Sequence, residues 1–128
     1  MRLLKTKPFG RWARKEGLRD RALSVAAGEM RHGLVDAVLG GGLVKKRIAR
    51  AGGGKSGGYR VLAALDQRRC CVFLYGFAKS ERDDLDQREL ADLKRLALAY
   101  LGLDEETLQH ALADGQLTEV EGGESKTA

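Results

Sequence analysis

The residues of this sequence that could do chemistry are basic, and they concentrate between positions 45 and 82. Seven of them come without a histidine or a carboxylate pair among them: Lys45, Lys46, Arg47, Arg50, Lys55, Lys79 and Arg82. Such cations can bind a phosphate and stabilise the charge of a phosphorane, and a lysine among other cations can take a proton. The set predicts one of two functions. The first is RNA cleavage without a metal, in which the 2′-hydroxyl attacks the neighbouring phosphate, and the second is a surface that binds phosphates without catalysis.

A sheet must position these cations, because most of them lie on or beside predicted strands. Alternation over 43–50 predicts a strand that carries Lys45 and Arg47 on one face. Further strands are predicted at 59–66 and 71–78, and the last is nearly all apolar and therefore central. We expect this sheet to bring both ends of the stretch together as a cationic surface without matching acids.

The last of these strands also carries aromatic side chains. Alternation predicts that Cys71, Phe73, Tyr75 and Phe77 share one face. Phe73 is interpreted as a core residue. Tyr75 and Phe77 lie near the end of the strand, close to Lys79, where an RNA base could stack on one of them.

The loop sequence GGGKSGG matches a phosphate-binding P-loop only in part. That pattern needs a glycine at the position of Ala49 and a helix after Lys55 and Ser56, whereas a strand follows here. We interpret the segment as a mobile hairpin loop, in which backbone amides and Lys55 contact a phosphate backbone.

Other kinds of site find little support. His32 and His110 stand alone on predicted helices, and no zinc-ligand spacing is present, so neither a metal nor a cofactor is expected. Cys70 and Cys71 are adjacent, which prevents an easy disulfide between them, and we interpret them as small hydrophobic residues in a reducing compartment.

The remaining elements predict one α+β domain over residues 1–121, followed by a disordered tail at 122–128. A first strand at 2–5 leads into a helical hairpin whose helices begin at caps Thr6 and Asp20. Positions 34–39 could form a strand or a helical turn. A helix from Asp86 to Leu101 is predicted to bury Leu85, Leu90, Leu93, Leu96, Ala97, Tyr100 and Leu101. Asp104 caps a last helix, and a final strand is possible at 117–121.

Charge is distributed unevenly along the chain. Residues 1–60 hold 15 Lys and Arg against 4 Asp and Glu, a net charge of +11, whereas residues 61–128 carry −6. A basic half of this kind predicts a polyanion or an acidic protein as partner. No apolar run approaches the length of a membrane span, and the N-terminus has no signal-peptide core, so we expect a cytoplasmic protein without membrane contact.

Three sequence blocks, in this order, resemble a known family. They are KxRIAR from Lys45, GxGKSGGxR from Gly52 and YGFAKSERDxL from Tyr75. They resemble the RelE/HigB-like toxins of type II toxin–antitoxin systems, in the branch of the RelE/ParE superfamily that carries these motifs. The resemblance implies a small, mostly antiparallel twisted sheet with an N-terminal helical hairpin and C-terminal helices.

The resemblance also implies a function. It indicates an endoribonuclease that cuts mRNA on the ribosome and arrests translation. A cognate antitoxin, typically of helix-turn-helix type and encoded by an adjacent gene, neutralises such a toxin, and the complex represses its operator DNA. The catalytic positions fall on Lys45, Arg47, Arg60, Lys79 and Arg82. We assign RNA binding to Arg50, Lys55, Ser56, Tyr75 and Phe77.

The sequence departs from the family pattern at two places. Many relatives carry an arginine directly after the position of Lys79, where this chain has Ser80. Several end in a catalytic Tyr, His or Arg, whereas this tail offers Lys126. Two alternatives therefore stay open: a ParE-like gyrase inhibitor without nuclease activity, and an inactive toxin that acts only in autorepression.

Overall fold

The computed structural model describes residues 1–50 and 57–122. Six strands and four helices form in this part of the chain, so the predicted α+β class is confirmed. The strands are β1 (Arg2–Thr6), β2 (Ala37–Gly40), β3 (Leu43–Ile48), β4 (Tyr59–Asp66), β5 (Cys70–Ala78) and β6 (Leu117–Glu119). The helices are α1 (Lys7–Glu16), α2 (Asp20–Arg31), α3 (Gln87–Leu101) and α4 (Glu105–Ala113). Within these ranges, none of the helices combines the length and apolar character needed to cross a membrane.

The strands form one sheet in the order β2-β3-β4-β5-β1-β6. β1 runs parallel to β5, and every other neighbouring pair is antiparallel, as the predicted architecture requires. β2 occupies part of the segment that the sequence left open. Pairing with β3 makes it a strand, and its side chains alternate between half-buried and exposed. The sequence AVLG is apolar at three successive positions, so its residue types could not show this alternation.

The first helix of the hairpin begins at the predicted cap, Thr6. The hydroxyl oxygen of Thr6 accepts a hydrogen bond from the backbone N–H of Phe9, and Pro8 lies in the first turn. The helix ends at Gly17, whose φ of 75° is the left-handed conformation that glycine adopts most easily. Local chemistry therefore sets both ends of α1.

The predicted cap of the second helix is wrong. Arg19 is the N-cap residue of α2 and makes no side-chain capping bond, while Asp20 is the first helical residue. The carboxylate of Asp20 instead accepts from Lys5 Nζ at 2.7 Å and from the backbone N–H of Glu121 at 3.0 Å. The local pattern predicted that the Asp20 carboxylate caps the helix, but the fold directs it to Lys5 and Glu121, which are distant in sequence.

The sheet separates two apolar cores. The first lies beneath α1 and α2, and its largest fully buried members are Phe9, Leu23, Met30, Val61, Cys71 and Phe73. The second lies beneath α3 and α4, and it includes Leu4, Leu43, Leu62, Val72, Phe77, Leu93, Ala97 and Leu117. Each strand residue can therefore be assigned to one side of the sheet by the core it joins.

A β-bulge in β5 decides which aromatic side chain joins which core. The β4–β5 register skips Leu74, so that residue is the extra one between Phe73 and Tyr75. Phe73 lies in the first core, whereas Phe77 lies in the second and Tyr75 packs against it. The predicted single face is wrong, because one inserted residue turns the following side chains to the other side of the sheet.

The long helix α3 follows its N-cap Asp86, which forms a capping box with Glu89. Leu93 and Ala97 are its buried residues, but Leu96, predicted to be inward, is 39% exposed. At about 100° per residue, Leu96 lies roughly 60° to one side of Leu93, whereas Ala97 lies about 40° to the other side, where the sheet is.

The two cysteines are free and buried within the sheet. Burial raises the pKa of the Cys70 thiol and, more strongly, that of the Cys71 thiol. Neutral, enclosed thiols behave as small hydrophobic groups, so this part of the sequence interpretation is confirmed.

Candidate functional site

Three of the predicted catalytic side chains share the α3 side of the sheet. Arg47 and Arg60 are direct cross-strand partners on β3 and β4. Lys45 lies two residues along β3 and pairs with Leu62, which is buried in the second core. Like charges directly opposite each other destabilise a sheet, so the fold holds positive charge here at an energetic cost.

Arg60 is the most available of these cations. It is half-buried, and the only hydrogen bond from its side chain to the residues at 1–50 and 57–122 runs from Nη1 to the carbonyl of Gly57 at 3.4 Å. No carboxylate within those ranges forms an ion pair with Arg60. Most of its guanidinium N–H groups are therefore free to bind an anion.

The chain then turns sharply after β5 and brings the last two cations close. The backbone N–H of Lys79 donates to the carbonyl of Gly58, just before β4 begins. The N–H groups of Glu81 and Arg82 both donate to the carbonyl of Ala78. This corner, residues 79–86, therefore lies beside the strand that carries Arg60.

Arg82 is held by the protein through all five of its N–H donors. Glu89 accepts two hydrogen bonds, at 2.5 and 2.9 Å, and the carbonyl of Asp84 accepts two more, at 2.9 and 3.2 Å. The Tyr75 hydroxyl lies 3.5 Å from Nη1, and the guanidinium lies 5.4 Å from the ring centre of Phe77. The bonds with Glu89 raise the pKa of Arg82 and lower that of Glu89.

Carboxylates accompany most of the basic residues, so the predicted surface without matching acids is wrong. The ion pairs are Lys45–Asp84 at 3.3 Å, Lys46–Glu29 at 2.9 Å, Arg50–Glu16 at 3.7 Å, Lys79–Asp83 at 3.1 Å and Arg82–Glu89 at 2.5 Å. The Leu85 backbone N–H and then Lys45 hold the pKa of Asp84 below its usual value. Tertiary packing brings these acids in from the corner and the helices.

The two predicted stacking residues differ in access. Phe77 is 4% exposed and lies beneath Arg82, so its ring face is already occupied. Tyr75 is half-buried, and its ring centre is 6.5 Å from that of Phe77. Of the two, Tyr75 can offer a ring surface to a ligand.

Arg50, which was predicted to bind RNA beside the glycine loop, does not join this group. Arg50 lies over the ring of Tyr59 at 5.1 Å, and its Nε donates to the Tyr59 hydroxyl. Tyr59 belongs to the first core, so Arg50 is on the opposite side from Arg60. Lys55 and Ser56 lie outside the described residues.

Two surface grooves flank the sheet. One of about 930 Å³ lies between the hairpin and the end of β3, and its lining includes Lys15, Arg19, Arg21 and Val25. The other, of about 280 Å³, opens beside Arg82 and is lined by Pro8, Phe9, Trp12, Leu74, Tyr75, Gly76, Phe77, Glu81 and Arg82. The smaller groove is therefore the one that adjoins the predicted catalytic residues.

Sequence reasoning missed three residues of this region: Asp84, Glu89 and Trp12. The D-x-x-E pattern from Asp86 to Glu89 is a recognisable helix start, but nothing in it identifies Arg82 as the partner of Glu89. Trp12 belongs to α1, and its position in the sequence carries no motif that marks it as a binding residue. No group of three or more potential ligands that could hold a metal ion occurs within 1–50 and 57–122.

Comparison with known proteins adds one finding. Residues 1–120 match a family model described as the RelE toxin of the RelE/RelB toxin–antitoxin system. No curated protein matches the chain.

Proposed function

We propose, for a chain that belongs to the RelE toxin family, that it arrests translation by cutting messenger RNA on the ribosome without a metal ion. Membership of the family makes it a toxin of a toxin–antitoxin system and implies an antitoxin partner. The nuclease activity, the ribosome and the roles of individual residues are our proposal, as is its location in the cytoplasm.

The observation that carries the proposal is the direct pairing of Arg47 with Arg60. The register places these two basic residues directly opposite each other on one face, where a phosphate could bind to both side chains. Arg60 supports this, since it keeps most of its donors free of protein acceptors. A non-catalytic inhibitor has no need for such a pair, so the arrangement favours the nuclease over the gyrase inhibitor.

The reaction then proceeds by attack of the 2′-oxygen on the neighbouring phosphorus. A bond forms between these atoms as the bond to the 5′-oxygen breaks, which leaves a 2′,3′-cyclic phosphate and a 5′-hydroxyl. Arg60 and Arg47 stabilise the charge of the phosphorane. Lys45 and Lys79 are the groups that take the proton of the 2′-hydroxyl and give one to the leaving oxygen.

We assign Arg82 a positioning role, because the protein already occupies its five N–H donors. It ties the corner at 79–86 to α3 through Glu89 and covers Phe77. Holding this corner keeps Lys79 beside β4, within the same region as Arg60. Arg82 is thus removed from the five residues that the resemblance made catalytic, and binding of the scissile phosphate depends on Arg60.

The test is to induce the protein in growing cells and map the 5′ ends of cellular mRNA. We expect new 5′-hydroxyl ends inside translated codons, and Arg60→Ala should reduce them by about a hundredfold or more, the usual loss when one charge-stabilising donor is removed. Arg68→Ala is the matched control, since Arg68 is exposed on the β4–β5 turn and its side chain lies far from the corner.

Three outcomes contradict the proposal. If growth stops while mRNA stays intact and chromosomal DNA is broken, the protein is a gyrase inhibitor. If a folded Arg60→Ala protein cuts as well as wild type, the assignment of the phosphate site is wrong. Induction without any growth defect points to a toxin kept only for repression of its operator DNA with the antitoxin.

A further inference from the structure

The smaller groove has the lining of a binding pocket for a flat ring. Its walls include Trp12 of α1 and Tyr75 of β5, both half-buried, and its volume of about 280 Å³ is near the lower end for ligand pockets. Trp12 packs edge-on against Tyr59 and lies so close to Gly76 that a Cβ there would overlap the indole. The indole is thus fixed in place before any ligand arrives.

The floor of this groove is an open edge of β5. In an antiparallel ladder, hydrogen-bonded pairs alternate with pairs that are not hydrogen-bonded to each other. The backbone N–H of Lys79 donates to the carbonyl of Gly58, so the next hydrogen-bonded pair is Phe77 with Arg60. Gly76, one residue further, therefore directs its N–H and C=O away from β4. Pairing with β1 stops at Phe73. Within the described ranges no strand lies beside Gly76 on that side, so one backbone donor and one acceptor face the groove.

We propose that this groove is a nucleobase pocket, in which the ring of one unpaired RNA base lies against Trp12 and Tyr75 and its polar edge bonds to the backbone of Gly76. A base presents donors and acceptors along one edge of an aromatic plane, which matches this lining. The space is too small for a helix, whose diameter is about 10–12 Å. The carbonyl of Ala78, the next residue turned to this side, already accepts from the N–H groups of Glu81 and Arg82, so the open edge is too short for an added strand.

The charges around the groove favour a base over a phosphate. Arg82 is bound by Glu89, and Glu81 adds a negative charge at the rim. The free cation of the region, Arg60, lies on the neighbouring strand. The pocket would therefore hold a base next to the scissile phosphate and select the sequence that is cut. This extension rests on the proposed nuclease function.

The chain contains a single tryptophan, so the fluorescence of Trp12 reports on this pocket directly. The experiment titrates the full-length protein with the four ribonucleoside 5′-monophosphates and, as a control without a base, ribose 5-phosphate. We expect at least one nucleotide to quench the fluorescence with saturation, and ribose 5-phosphate to leave it unchanged. Equal quenching by ribose 5-phosphate, or no quenching at millimolar nucleotide, overturns the pocket.

Two variants at one position separate stacking from other contacts. Tyr75→Leu should weaken nucleotide binding about tenfold, within the range measured when a stacking ring is removed. Tyr75→Phe keeps the ring and should bind as wild type. If both variants bind nucleotide equally well, base stacking on Tyr75 is excluded. If Tyr75→Leu changes which bases occur at the cleavage sites and Tyr75→Phe does not, the result supports stacking on Tyr75.

The same preparations are assayed for cleavage of ribosome-bound mRNA, which keeps the two proposals apart. Saturable quenching without cleavage supports the pocket and contradicts the nuclease function. Cleavage without any quenching supports the nuclease and contradicts the pocket.

Discussion

Two groups of cations on this protein look alike in sequence and differ in the structure. Around the corner at 79–86, Lys45, Lys79 and Arg82 each form an ion pair with a carboxylate. At the turn of the helical hairpin, Lys15, Arg19 and Arg21 are exposed, and the described part of the chain shows no hydrogen bond or ion pair from their side chains. The first group is fixed in position, and the second is free.

The difference separates two uses of positive charge. A lysine that transfers a proton must be held within a fraction of an ångström of its reacting partner, and the ion pair with Asp84 restrains Lys45 in this way. The pair of Arg82 with Glu89 restrains the corner itself. A cation that attracts a polyanion over a distance needs only to be exposed and unpaired. We therefore expect the hairpin to contribute charge-dependent affinity, and the corner to contribute geometry.

The largest expected effect is on RNA affinity. Replacing Lys15, Arg19 and Arg21 together with glutamine should lower the slope of log affinity against log salt by about 2, since each phosphate contact on a single strand contributes about 0.7. The check is binding of a short RNA across a salt series, with Arg68→Gln as control. An unchanged slope of log affinity against log salt would show that Lys15, Arg19 and Arg21 do not contact RNA phosphates.

A smaller effect is expected on acid stability. Because Arg82 lowers the pKa of Glu89, that carboxylate stabilises the fold fully above its ordinary pKa of about 4.3. The stabilisation is lost as the pH falls through the lowered value, since protonation then breaks the pair. Glu89→Gln should thus lower the urea midpoint at pH 7, and the gap from wild type should narrow as the pH falls below the ordinary pKa of a glutamate, about 4.3. A gap that is independent of pH would mean that Glu89 acts only through its helix cap.

The smallest effect is expected at the exposed pairs of the corner. Asp84→Asn breaks the pair with Lys45 and should cost less than about 1 kcal/mol, because Asp84 is 60% exposed and water screens the interaction. Asp83→Asn should cost less still, as Asp83 is 91% exposed. Chemical denaturation of both variants measures the change in the free energy of unfolding. A larger decrease for Asp83→Asn than for Asp84→Asn would mean that the Lys79–Asp83 pair stabilises the corner more than the Lys45–Asp84 pair does.

Much of the fold could be predicted because its signals are local. The cap at Thr6, the left-handed Gly17, the capping box at 86–89 and the alternation of β3 depend on sterics and hydrogen bonds within a few residues. The same alternation correctly placed Lys45 and Arg47 on one face. For the candidate site, the sequence therefore predicted the side of β3 that carries it.

The rest of the site depends on contacts between distant segments. Lys45 meets Asp84 across 39 positions of sequence, and no local pattern could pair them. Leu74 is inserted into β5 only where that strand meets β4, and this single residue turns Tyr75 away from Phe73.

By itself, the sequence determined most of the helices and strands, their order, the resemblance to a family and the basic character of the region, since each of these depends on residue types and short spacings. It left the strand at Ala37–Gly40 open. Only the tertiary structure decided which cations are free and which aromatic side chain is open to a ligand. The physical reason is that a charge or a ring is neutralised or covered by whatever the fold packs against it. In this fold, the side chain of Arg60 keeps most of its donors available for a phosphate, whereas that of Arg82 is bound by Glu89.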